Sequence, residues 1–287
     1  MLMCTDEKKR SVRGSLRAFL ARPAAWLWAA RIFGLCGVLS AAQAATDYVS
    51  YSGTAYAWQG EQVLYHEHHV VQYQEGQLTE RVVLYECASG QPFARKELHY
   101  RDLLAPDFRF EDQRNGVVEG LLQTGAGRSV FFKEDFAGQQ MQAALPPTEG
   151  LVADAGFDEF IRSRWQSLMS ERSEPIRFLI PSRLQAMGFT VQHRGQAVVE
   201  GVPAEVFHLN LAGLLGWFLS GIDVYYSSAQ HVLLRYAGLS NLRDSAGHYF
   251  KADIAFPVNR RVTATEADMR IARSVPLTSC LKDASHT

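Results

Sequence analysis

The sequence predicts a mainly β protein of the β-rich α+β class: a curved antiparallel sheet, a half-barrel of about ten strands, wrapping one amphipathic helix. Three observations predict it. Short runs rich in Val, Tyr, Phe and His recur with turn residues between them; one segment carries a helical apolar stripe; and strand signals resume after that stripe.

The first 44 residues read as a cleavable export signal rather than as part of the fold. Lys8, Lys9, Arg10, Arg13, Arg17, Arg22 and Arg31 precede the apolar run Ile32 to Ala42, which is too short to span a bilayer. Ala42-Gln43-Ala44 is the small-x-small pattern that a signal peptidase cuts. Leu35 precedes Cys36, where lipoprotein processing needs a small residue, and Leu16 stands where a twin-arginine signal has its first arginine. The expected location is therefore the periplasm. Residues 45–258 are expected to form one β-rich domain without a transmembrane segment, and 259–287 a polar, loosely held C-terminal tail.

From Asp47 to Asp135 the pattern is strand and turn. Tyr48–Trp58 and Gln62–Gln74 lead to Glu75-Gly76, a tight turn into Leu78–Cys87, and Ser89-Gly90 turns into Phe93–Arg101. Asn115-Gly116 between Asp107–Arg114 and Val117–Leu122 is the strongest hairpin signal, because both residues accept positive φ. Arg128–Glu134 and Gln139–Leu145 continue the meander. Then Phe157, Phe160, Ile161, Trp165, Leu168 and Met169 fall on one helical stripe, with Pro175 beyond its end. Strands return at Ile176–Ile180, Phe189–His193, Ala204–Leu209, Ile222–Ser227, Val232–Tyr236 and His248–Phe256. The last alternates cleanly, with Phe250, Ala252, Ile254 and Phe256 on one face.

Charge and cysteine content narrow the function. The 243 residues from Ala45 onward hold 22 Lys and Arg against 28 Asp and Glu, a formal charge of −6. That balance excludes a nucleic-acid-binding surface, which needs clustered basic residues. Cys87 and Cys280 are the two cysteines left after cleavage, and in an oxidising compartment they are a candidate disulfide.

No catalytic motif stands out. There is no Gly-x-Ser-x-Gly elbow, and Gly125-Ala126-Gly127 lacks both the third glycine and the following helix of a dinucleotide site. In Tyr65-His66-Glu67-His68-His69 the alternation puts His66 and His68 on one strand face, Glu67 and His69 on the other. Two histidines lack the third ligand of a catalytic metal site, so the stretch is read as the polar outer face of an edge-ward strand, and no metal or cofactor is predicted. Pairing Arg114 with Val117 sets Asp112 opposite Glu119 near a hairpin tip, where water screens them.

The strand–helix–strand order, with the stretch Gly201-Val202-Pro203-Ala204-Glu205-Val206-Phe207-His208-Leu209 running into Ile222-Asp223-Val224-Tyr225-Tyr226, resembles the lipoprotein-carrier-like proteins of the Gram-negative envelope, the LolA/LolB type. Asp154-Ala155-Gly156-Phe157-Asp158 and Gly238-Leu239-Ser240-Asn241 look like segments of an uncharacterised family of exported bacterial proteins. The first resemblance implies an open half-barrel holding a helical plug over an apolar cavity. A periplasmic binding module for a lipophilic ligand is then expected, plugged by Phe160 and Trp165. The charge-free segment Leu209 to Leu219 would gate it through Leu214, Trp217 and Phe218. Its rivals are an envelope protein-interaction module with a filled core, working through a sheet edge, and an enzyme with an unrecognised site. A connected apolar cavity favours the first and a packed interior the second.

Overall fold

The computed structural model describes residues 45–125, 127–170, 172–211, 221–244 and 247–280. The expected export signal and the segment with Leu214, Trp217 and Phe218 lie outside them. Eight strands come first, β1 (Thr46–Ala57), β2 (Val63–Gln74), β3 (Gln77–Cys87), β4 (Pro92–His99), β5 (Asp107–Asp112), β6 (Val118–Thr124), β7 (Gly127–Lys133) and β8 (Met141–Leu145). They form an antiparallel meander in which each strand pairs with the next. Positive φ at Glu75 and Gly76 makes the tight β2–β3 turn that the sequence predicts.

After the two-residue β9 (Leu151–Val152) come the helices α1 (Gly156–Ser163) and α2 (Trp165–Met169). The helical stripe is thus split at Arg164, whose backbone leaves helical geometry. Strands β10 (Glu174–Ile180), β11 (Gln185–Val199), β12 (Val202–Leu211), β13 (Ile222–Ser227), β14 (Leu233–Arg243) and β15 (Tyr249–Ala255) follow, each antiparallel to the next, while β10 pairs in parallel with the short β9. Strand β15 returns to pair with β1, so the first strand lies inside the sheet rather than at its edge. With β16 (Val262–Ala264), which also pairs with β1, the sheet has sixteen strands among the described residues, more than the sequence alone suggests.

The topology forces curvature. Strands β8 and β9 are the two ends of the strand order, yet only residues 146–150 join them. The six Cα–Cα steps from Leu145 to Leu151 reach at most about 20 Å. The sheet therefore curls until its ends approach, and it stays open because β8 and β9 do not pair. The turn Pro181–Arg183 between β10 and β11 packs across this seam onto β6 and β7. The expected mainly β, open curved sheet with a helix against its inner face is what the chain builds.

Two packed clusters fill the inside. One joins Tyr65, Tyr85, Phe93, Phe108, Phe110, Leu121 and Val130. The other seats Phe160, Ile161, Trp165 and Leu168 of the helices on Val191, Phe207, Val224 and Tyr226. Gly156 sets how closely α1 begins, since a Cβ there would stand 2.0 Å from the Leu104 carbonyl oxygen. Residues 258–280 are not a loose tail. The helix α3 (Glu266–Ser274) buries Met269 and Ala272 against Val70, Val82 and Leu84 on the outer face of β2 and β3. A capping box between Thr265 and Asp268 starts it, so two polar side chains three residues apart fix the helix end. Among the described residues no helix is long and apolar enough to cross a membrane.

Candidate functional site

The interior is where a ligand of a half-barrel would lie, and here it holds charge. Alternation along the strands turns Glu67 and His69 of β2, Arg81 of β3, Lys96 of β4, Asp112 of β5 and Glu119 of β6 inward, and all are buried. The helical segment supplies their partners. Lys96 Nζ lies 2.7 Å from Asp154, Arg81 Nη1 donates to Asp158 at 3.0 Å, and the Tyr226 hydroxyl donates to the same carboxylate at 2.7 Å. Burial opposes the Asp158 charge. Arg81 and Arg162, with the hydrogen bonds from Tyr226 and Arg81, overcome it and hold the carboxyl at a pKa of about 2.

Glu119 shows the opposite balance. Burial raises its pKa to about 7; Lys96 and Arg243 act against this, and Asp154 adds to it. His69 Nε2 lies 2.8 Å from Glu67, and the ring stacks on Tyr51 at 4.3 Å; burial lowers its pKa although Glu67 pulls it up. The histidine strand is therefore not edge-ward. Strand β2 lies between β1 and β3, and half of its charged stretch is core.

The expected Asp112–Glu119 pair is also corrected. Asp112 accepts from the Arg114 amide at 2.9 Å and from its guanidinium at 2.7 Å. That closes a four-residue turn, so Asp112 pairs with Val117, and Glu119 stands opposite Phe110. Both carboxylates are buried rather than screened by water.

Phe160 and Trp165 sit inside the sheet, 5% and 7% exposed, and Trp165 stacks on His231 at 3.7 Å with Phe207 at its edge. Their ring faces are taken by the protein itself. Cys87 and Cys280 are joined as a disulfide, which ties the chain after α3 to the end of β3. Two shallow hollows of about 450 and 330 Å³ open on the outer surface. The larger lies between Tyr56, Arg235 and Asp253 of the sheet and Val198 and Val199 at the β11–β12 turn.

The sheet ends differ in a way the sequence does not announce. The end strand β9 has two residues, both buried, and is blunted by its shortness. The end strand β8 has five, of which Met141, Gln142 and Ala144 are exposed, and among the described residues nothing pairs with its outer edge. It carries no charge, no proline and no bulge, the usual devices that keep an exposed strand from pairing.

Fold and site together define a mainly β, barrel-like domain with a packed interior and one unprotected edge. No family model matches the chain, and no curated protein matches it. Among solved structures it is similar to a beta-barrel-like protein of the domain of unknown function DUF1849 from Brucella abortus, at 8% identity and a TM-score of 0.43, over 77% of this chain and 98% of that one. It is also similar to MucB (11% identity, TM-score 0.24, 77% of this chain and 56% of that one). A DUF1329 family protein from Desulfovibrio piger shows 10% identity and a TM-score of 0.25, over 76% of this chain and 85% of that one.

Proposed function

We propose that the protein is a binding module of the bacterial envelope that takes an extended polypeptide segment as an added strand along β8. The observation that carries this is the unpaired, unblunted edge of β8 in a sheet whose other strands are laddered on both sides or cut short. Main-chain hydrogen bonds would supply affinity, and alternate side chains of the added strand would meet Met141 and Ala143 on the inner face. The lipophilic-ligand reading loses its main support, because ion pairs and aromatic rings occupy the inward faces that would line the cavity. Export with cleavage after Ala44 belongs to the same proposal, and N-terminal sequencing of the exported chain is expected to begin at Ala45.

The edge is tested with Gln142→Lys/Ala144→Lys, which adds two charges to exposed positions of β8 and leaves the core untouched. Such surface changes alter stability by about 0.5 kcal/mol or less. Extended peptides selected against the wild type are expected to bind the variant at least tenfold more weakly. Peptides that bind both proteins equally, or a selection that yields none, would overturn the proposal.

A further inference from the structure

We infer that the outer face of β2 carries a site for a divalent transition-metal ion, built on His66 and His68 with Glu86. The two histidines are two residues apart on one strand, so both project from the same face, with Cα atoms roughly 6–7 Å apart. Each is held by a hydroxyl directly opposite on β1. Thr54 Oγ1 lies 3.2 Å from His66 Nδ1, and Ser52 Oγ lies 3.1 Å from His68 Nδ1. Tying Nδ1 to a neighbour is how proteins orient an imidazole for metal binding, because it fixes the ring and the tautomer. With Nδ1–H donating to the hydroxyl oxygen, Nε2 keeps its lone pair for the ion.

Both rings line the same outer hollow of about 330 Å³, and Glu86 and Arg260 line it too. Glu86 is the registered partner of His66 across the β2–β3 ladder, so its Cβ stands about 4.5–5.5 Å from that of His66. Two imidazoles and one carboxylate are a donor set for Zn²⁺ or Cu²⁺ that leaves positions open to water or a further ligand. Among the described residues no three such side chains already stand in ligating positions, so binding requires Glu86 to turn toward the ion. Strand β2 is central and laddered on both sides, which gives the two histidines a rigid base. Arg260 opposes a dication electrostatically, and affinity in the micromolar range is expected.

The site is tested on the purified, metal-free protein by titration with Cu²⁺, followed by electron paramagnetic resonance and by calorimetry. One equivalent is expected to bind with nitrogen hyperfine structure from two imidazoles. His66→Gln and His68→Gln should each weaken binding at least tenfold and Glu86→Gln less, with unchanged thermal unfolding in the absence of metal. The inference is overturned if the wild type binds no stoichiometric ion, or if His66→Gln/His68→Gln binds as tightly as the wild type. Either result leaves the β8 proposal untouched, since the histidines are on a different strand and face.

Discussion

Arg81 on β3 and Asp158 on α1 meet across the inside of the sheet, with Nη1 of one donating to Oδ2 of the other at 3.0 Å. This contact ties the helix to the inner wall of the sheet. Removing one partner leaves a charge buried without its counterion, a loss of about 3–5 kcal/mol in comparable pairs. Arg81→Met is expected to fall in that range by chemical denaturation. Arg81→Met/Asp158→Leu should recover part of the loss, since it removes the stranded charge but leaves the buried Tyr226 hydroxyl without its acceptor.

Glu119 and Asp158 set opposite pH limits on stability. The Glu119 carboxyl rises from 4.5 to about 7 on folding, so its contribution is full below 4.5 and is lost as pH rises through 7. Asp158 falls from 3.8 to about 2, so its contribution is present above 3.8 and is lost as pH drops through 2. Stability from these two groups is therefore highest near pH 4–5. Glu119→Gln is expected to flatten the fall between pH 4.5 and 7, by up to about 3 kcal/mol. Denaturation midpoints across that range check it.

The disulfide from Cys87 to Cys280 spans 193 residues of sequence. Closing so long a loop restricts the unfolded chain by about 5 kcal/mol in chain-entropy terms. Cys280→Ser is expected to cost a large part of this. It should also release the chain after α3, so that limited proteolysis cuts there before it cuts the sheet. Equal protease resistance with and without reductant would contradict the prediction.

Trp165 packs between His231 and Phe207 in the closed part of the interior. Trp165→Ala is expected to destabilise by about 3–5 kcal/mol, the usual cost of truncating a buried aromatic ring. Uptake of a fluorescent lipid probe should be absent in both proteins. Probe binding by the wild type that the substitution abolishes would show a ligand contact instead.

Much of the fold is legible in the residues. The alternation Phe250, Ala252, Ile254 and Phe256 faces inward as read, Glu75-Gly76 makes its turn, and Cys87 meets Cys280. Alternation alone cannot say which face of a strand is wet. That depends on what closes over the face: Phe256, just beyond β15, packs 5.8 Å from the His69 ring, and α1 reaches the inner side of the neighbouring strand through Asp158 and Arg81. Glu67 and His69 are buried under this cover. The turn at Asn115-Gly116 escaped because the Asp112 carboxylate captures Arg114 and lengthens the loop. Polar composition after Pro257 hides α3, although Thr265 and Asp268 stand at capping-box spacing. The open edge at β8 is a property of the whole strand order, and no local pattern encodes it.

Hydrogen exchange of the backbone amides, with and without a bound peptide from the selection described above, tests strand addition most directly. If an extended segment adds to β8, residues 141–145 are predicted to gain the strongest protection, with little change in β2 or in α1. Protection concentrated elsewhere, with the β8 amides exchanging as fast as in the free protein, would contradict the account.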